Sequence, residues 1–249
     1  MSNEGNGAGK NGNGRDLPVA VVTGAGRGIG RALLELLLKR NYIVIAVVRS
    51  LKDVGELEAL SNHVHAVCCD VTEPSSERLI KEFVESKVEK IDLLINNAGY
   101  GATAYGIESL KFEELDRVMA VHCHGPIRCV KACLPLIRKS SRAAILNISS
   151  RFASLEWVST RTVPADQATY AYRIAKAAMN MLSSCLAVEL QDAGIRVLAI
   201  DPGKVKTRFG PVDADTEASQ AAESIVNLAE NNKDTALFVQ ASSGEKLPW

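Results

Sequence analysis

Short aliphatic runs recur along this chain, and helix-forming stretches separate most of them. Six runs read as strands, over residues 19–22, 42–48, 63–69, 91–95, 143–148 and 197–200. Four longer stretches read as helices, over 31–39, 74–90, 112–140 and 168–190. The strand runs are apolar almost throughout, so both faces of each strand need cover. Strands that alternate with helices under that constraint build a parallel, two-sided α/β sheet.

At 249 residues the chain is long enough for one large domain with its own core. The domain is expected over 17–249, and no linker or second domain interrupts it after Pro18. Residues 1–16 are rich in Gly and Asn and carry no apolar side chain larger than Met1. That tail cannot bury enough surface to offset its ordering entropy and reads as disordered. Lys plus Arg equals Asp plus Glu, which argues against nucleic acid or an anionic membrane as partner. The longest aliphatic run, 43–48, is too short to span a bilayer. The N-terminus lacks an apolar signal core. Cys68, Cys69, Cys123, Cys129, Cys133 and Cys185 show no CxxC pairing. Cys129 and Cys133, one helical turn apart, suit half a metal site, but the thiols read better as small core residues. The expectation is a reduced, cytoplasmic protein without a metal site.

The first strand runs directly into Thr23-Gly24-Ala25-Gly26-Arg27-Gly28-Ile29-Gly30, and a helix follows. Glycines allow a tight turn and let a ligand approach the backbone. The helix N-terminus then offers free N–H groups and a positive dipole end to a phosphate. The alternative is a plain strand-to-helix turn. After the second strand, an acid would suit a ribose 2′-hydroxyl and a base a 2′-phosphate. Here Arg49 and Ser50 stand there, with Arg27 as a second cation, so the sequence points to NADP(H) over NAD(H). The alternative leaves Arg49 as a solvated loop residue. The glycine turn, Asp70, Asn96, Ser150 and Pro202 all stand at carboxyl ends of strands, where open α/β sheets bind ligands.

Within the stretch 168–190, Tyr172 and Lys176 lie four apart and share one helix face. A phenol titrates near pH 10, and a nearby cation favours the phenolate. Such a pair can exchange a proton near neutrality; otherwise it is a surface pair without a role.

Taken in order, Thr23-Gly24-x3-Gly28-x-Gly30, Asn96-Asn97-Ala98-Gly99, Ser150, Tyr172-x3-Lys176 and Pro202-Gly203-x-Val205-x-Thr207 resemble the short-chain dehydrogenase/reductase family. The match runs from residue 18 to about 210. Tyr170-Ala-Tyr-Arg and the ending Gly244–Trp249 are similar to the C-factor and sniffer-type carbonyl reductases and to fungal ketoreductases. The resemblance implies a Rossmann-like, doubly wound, mainly parallel seven-stranded sheet with helices on both faces. It implies hydride transfer between a nicotinamide and a small-molecule carbonyl or alcohol. Tyr172 would protonate the carbonyl oxygen, Lys176 would depress its pKa and hold the nicotinamide ribose, and Ser150 would hydrogen-bond the same oxygen. Asp70 and Val71 would meet the adenine. Asn97, Ala98 and Gly99 would line the cofactor, and Pro202, Gly203, Val205 and Thr207 would border the nicotinamide. Tyr170 and Ser149 are rival candidates. Many relatives pair through long helices, so a dimer or tetramer through 112–140 and 168–190 is the corresponding expectation.

Three departures stand out. His122 occupies the place of the family's usual Asn; it would hold a water, titrate near neutrality, or simply pack. Ser150 and Tyr172 are 22 positions apart, longer than usual, and the insertion carries Phe152 and Trp157. These aromatics would form a lid for a bulky or polycyclic ketone, or fold away from the site. Ala153 replaces a common glycine. The leading reading is an NADPH-dependent carbonyl reductase. The rivals are a non-catalytic NADP(H) sensor or interaction protein, and a dehydratase or epimerase on the same fold.

Overall fold

Val19 and Val21 pack on one side of the sheet, Ala20 and Val22 on the other. Each side is covered by helices, which is why strand residues of both parities are apolar. The structure, a computed structural model, describes residues 17–208 and 210–249. The tail 1–16, read above as disordered, lies outside these residues.

The chain forms β1 (Val19–Thr23), α1 (Gly28–Lys39), β2 (Ile43–Val48), α2 (Leu51–Glu58), β3 (Val64–Cys68), α3 (Ser76–Lys87) and β4 (Leu93–Asn96). There follow α4 (Phe112–Met119), α5 (Gly125–Ile137), β5 (Ala144–Ile148), α6 (Leu155–Ser159), α7 (Tyr170–Glu189), β6 (Arg196–Asp201), α8 (Ala218–Asn231) and β7 (Leu237–Gln240). The seven strands make one sheet in the order β3-β2-β1-β4-β5-β6-β7. Every pairing is parallel. Leu33, Leu34 and Leu37 of α1 and Ile225 and Val226 of α8 fill one face. Ile80 of α3, Cys129 and Cys133 of α5, and Leu186 of α7 fill the other.

All six strands read from the residue pattern are present. The seventh, β7, is a short strand at the sheet edge, and together with α2 and α8 it adds to that reading. The stretch 112–140 is not one regular helix. Between α4 and α5, residues Ala120–His124 form a single π turn, closed by the Gly125 N–H donating to the Ala120 carbonyl five residues back. Pro126 follows and has no N–H to offer the His122 carbonyl, so the regular ladder is broken there. Gly125 also packs so close to Val71 that a side chain would meet Val71 Cγ2 at 2.9 Å. The segment 211–217 before α8 is crossed by a Lys204–Asp213 ion pair, a Lys206–Glu217 pair at 2.7 Å and a Val205–Thr216 bridge.

The strand order reverses between β1 and β4. The crevice at their carboxyl ends is where such sheets bind ligands.

Candidate active site and nucleotide crevice

Thr23 stitches the crevice together. Its hydroxyl accepts from the N–H groups of Asn97 and Ala98, both at 3.0 Å, and Asn97 Nδ2 donates to the Thr23 carbonyl at 2.9 Å. Gly24 has φ +68° and Gly28 φ +56°, a region that disfavours side chains. A side chain on Gly30 would overlap the Gly24 carbonyl oxygen. Arg27 precedes α1 without a side-chain cap, and the first turn holds no acid. The free N–H groups and dipole end at that terminus therefore fit a phosphate. Ile29 packs against the core beneath the turn. Across the crevice, the Thr207 methyl approaches Gly28, and Gly203 turns the chain at φ +84° after Pro202. Val205 is buried beneath this segment.

Arg49 ends β2 with its side chain 56% exposed and 3.9 Å from Asp70 of the adjacent chain end. Ser50 caps α2, accepting from the Lys52 N–H at 3.2 Å. Asp70 Oδ1 accepts from Thr72 N and Oγ1, and the Val71 carbonyl accepts from Arg128. One group escaped the sequence reading. Asp53, in the first turn of α2, lies against Gly26, with Oδ2 at 2.7 Å from where a side chain there would begin. Its spacing, four residues past Arg49 in a helix that the pattern did not reveal, was the available signal.

On the other side of β4, α7 lies across β5 with a buried polar strip. Lys176 Nζ donates to the Ile148 carbonyl at 2.5 Å. Ser149 Oγ donates to Asn180 Oδ1 at 2.6 Å, and Asn147 Nδ2 donates to Ser183 Oγ at 2.8 Å. This geometry separates the rival candidates. Ser149 is committed to Asn180, and Tyr170 is exposed at the start of α7. Tyr172 is half-buried, with Lys176 Nζ 5.6 Å from its ring centre and Ser150 hydrogen-bonded to its hydroxyl. Burial pushes the phenol up to about 12, against the Ser150 hydrogen bond, while Asp201 adds to the rise. Burial also brings the Lys176 ammonium down to about 7, and Asp201 opposes that fall. The phenol is not depressed, as the spacing alone suggests, because desolvation outweighs the Ser150 hydrogen bond.

His122 sits in the π turn, 2% exposed, its ring edge-on to Tyr172 with centres 5.5 Å apart. Nε2 lies 2.8 Å from the Tyr100 carbonyl. That contact makes Nε2 the protonated nitrogen and Nδ1 a lone pair, which no protein group meets among the described residues. Burial and the Lys176 charge hold the imidazole well below its ordinary range. Burial therefore favours the neutral ring over titration near pH 7, one of the roles open in the sequence.

The two inserted aromatics part ways. Phe152 lies in the turn after Ser150, with the Arg173 guanidinium 5.4 Å from its ring centre. Trp157 packs with Ala153, Ala199, Phe238 and Leu247, the folded-away alternative. Among the described residues no group of His, Cys, Asp and Glu suits a metal ion, and no helix is long and apolar enough to cross a membrane.

The short chain dehydrogenase family model matches residues 18–218. A probable short-chain type dehydrogenase/reductase, VdlC of Helicobacter pylori, is 30% identical over 77% of this chain. The matched stretch spans 66% of that relative's length. Among solved structures, carbonyl reductase Sniffer of D. melanogaster superposes with TM-score 0.84 at 26% identity, covering 94% of this chain and all of that one. An NADPH-bound carbonyl reductase from chicken fatty liver gives 0.83 at 29% identity, over 94% and 99% of the two chains.

Proposed function

Because this chain belongs to the short-chain dehydrogenase/reductase family, an oxidoreductase family, we propose that it is an NADPH-dependent carbonyl reductase with Tyr172 as proton donor. The observation that carries this reading is the convergence of Ser150, Tyr172 and Lys176 from β5 and α7 at the crevice mouth. A bound nicotinamide supplies the hydride. The residues do the rest. The phenol, with its pKa raised, is protonated throughout the neutral range and ready to donate to a carbonyl oxygen. Ser150 supports the same oxygen by a second hydrogen bond. Lys176 lies behind Tyr172, where its charge stabilises the phenolate left after proton delivery. Arg49 and the uncapped α1 terminus support the phosphorylated cofactor, whereas Asp53 opposes it. Phe152 beside Ser150, with Leu155 and Val158 exposed on α6, supports a bulky apolar ketone as substrate.

The test is NADPH consumption with a panel of aryl ketones and aldehydes. Tyr172→Phe should lower kcat about 10²–10⁴-fold while NADPH still binds. Turnover near wild type in that variant removes the assignment. NADPH binding without turnover of any carbonyl in the wild type would favour the sensor reading instead.

A further inference from the structure

Asp201 ends β6 and is 3% exposed, yet it is a carboxylate. A buried acid of this kind needs partners. Among the described residues, its three carboxylate contacts come from one residue, Arg151. The Arg151 N–H donates to Oδ1 at 3.1 Å, Nε donates to Oδ2 at 3.1 Å, and Nη2 lies 2.9 Å from Oδ2. Main chain and guanidinium fork thus grip the same group from two directions, a geometry that a lysine cannot copy.

The position of Arg151 gives the grip its meaning. It directly follows Ser150 and opens the short 3-10 turn Arg151–Ala153, which carries Phe152. The turn is closed by the Ala153 N–H donating to the Ser150 carbonyl at 2.8 Å, and Phe152 N donates to Ser150 Oγ at 3.4 Å. The direction in which the Ser150 hydroxyl faces Tyr172 is therefore set by a turn whose first residue is anchored on β6. Asp201 is itself held by the sheet, since its carbonyl accepts from the Ala241 N–H at 2.8 Å.

We propose that Arg151 and Asp201 are positioning residues of the active site: the clamp fixes Ser150 and Phe152 against Tyr172. This rests on the carbonyl-reductase reading for its kinetic consequence, but not for its electrostatic one. Among the described residues, the titratable groups that act on Lys176 or contact it are Tyr172 on the same helix, His122 from the π turn and Asp201 from β6, the last paired with Arg151. Of these, Asp201 is the anion, and it favours the ammonium.

The experiment compares wild type, Arg151→Lys, Arg151→Met, Asp201→Asn and the double variant Arg151→Met/Asp201→Asn, the last leaving no unpaired buried charge. Kinetics with NADPH and aryl ketones should show kcat down roughly 10–100-fold in Arg151→Met, with NADPH affinity unchanged. Arg151→Lys should recover only part of the loss. In Asp201→Asn the alkaline limb of the pH–rate profile should move to lower pH, because Lys176 gives up its proton earlier. Independently of turnover, NMR of lysine labelled at Cε, with Lys176→Met for assignment, should show Lys176 titrating at lower pH in Asp201→Asn and in the double variant. A uniform fall in kcat with an unmoved limb and an unchanged Lys176 titration would overturn the proposal, as would kcat retained in Arg151→Met. A wild type without carbonyl turnover would defeat the reductase reading alone, and the Lys176 titration would then decide whether Asp201 acts on the Tyr172–Lys176 pair.

Discussion

At His122 the useful atom is a lone pair rather than a charge. Burial favours the neutral ring, Nε2 is occupied by Tyr100, and Nδ1 has no hydrogen-bond partner among the described residues. An asparagine there can still donate to the Tyr100 carbonyl and offer an acceptor. His122→Asn should therefore keep kcat within a few-fold and leave the pH–rate profile between about pH 7 and pH 9 unmoved. His122→Leu strands the Tyr100 carbonyl and removes the acceptor, and should lower both kcat and stability, the latter by about 1–3 kcal/mol in thermal or urea unfolding. A His122→Leu variant equal to wild type would reduce this side chain to packing. On the proposed reading, Arg49 would favour NADPH and Asp53 would oppose it. Removing the guanidinium in Arg49→Ala should cut the NADPH-over-NADH preference about tenfold or more, as expected for charged hydrogen bonds worth about 1.5–3 kcal/mol. Asp53→Asn should raise that preference, read as kcat/KM with each cofactor.

At the scale of elements, α7 is positioned by loops as well as by the sheet. Glu114 of α4, 8% exposed, accepts from Thr103 N and Oγ1, both at 2.6 Å, and from Ala104 N at 3.2 Å. These bonds hold its carboxyl below the usual carboxylate range, the Thr103 hydroxyl contributing most. The Ala104 carbonyl in turn accepts from the Tyr170 N–H at 3.1 Å, at the first turn of α7 and two residues before Tyr172. Val118, Ala171 and Ala175 pack where α4 meets α7. Glu114→Ala leaves the buried Ala104 N–H and the partly buried Thr103 N–H without this acceptor, so it should destabilise the fold by about 1–3 kcal/mol. For a chain of this size that is a fall of several degrees in Tm. Loss of kcat should accompany it, and an unchanged Tm would show that the loop holds itself.

For the whole molecule, buried titratable groups give stability a predictable pH slope. The Lys176 pKa is lower folded than unfolded, about 7 against 10.5. Between these values the unfolded chain binds the extra proton, so stability rises with pH across the window. The opposite sign comes from groups raised on folding: Cys69 at about 11, and Tyr42 and Tyr172 at about 12. Their contribution is lost as pH climbs past their ordinary values toward the raised ones, so it does not enter below about pH 9. Cofactor-free protein should therefore gain stability from about pH 7 to pH 9, by at most about 2–3 kcal/mol from this lysine. Urea unfolding at several pH values measures it, and Lys176→Met should flatten the slope. A slope unchanged in that variant would assign it to other groups.

What the residues determined alone was local. Aliphatic runs too apolar for a one-sided sheet required helices on both faces, and glycines placed between strand and helix marked a turn that fits a phosphate. The four-residue spacing of Tyr172 and Lys176 put them on one face. The edge strand β7, only four residues long, and the short α2 carry too little periodicity to register. Only the tertiary structure brought together groups far apart in the chain: Asp201 with Arg151 across the β5–β6 pair, Asp53 with Gly26, and His122 with Tyr172. It also decided the ionisation of Tyr172, Lys176 and His122, because a side chain's pKa follows from how much water its neighbours exclude, and no one-dimensional spacing carries that quantity.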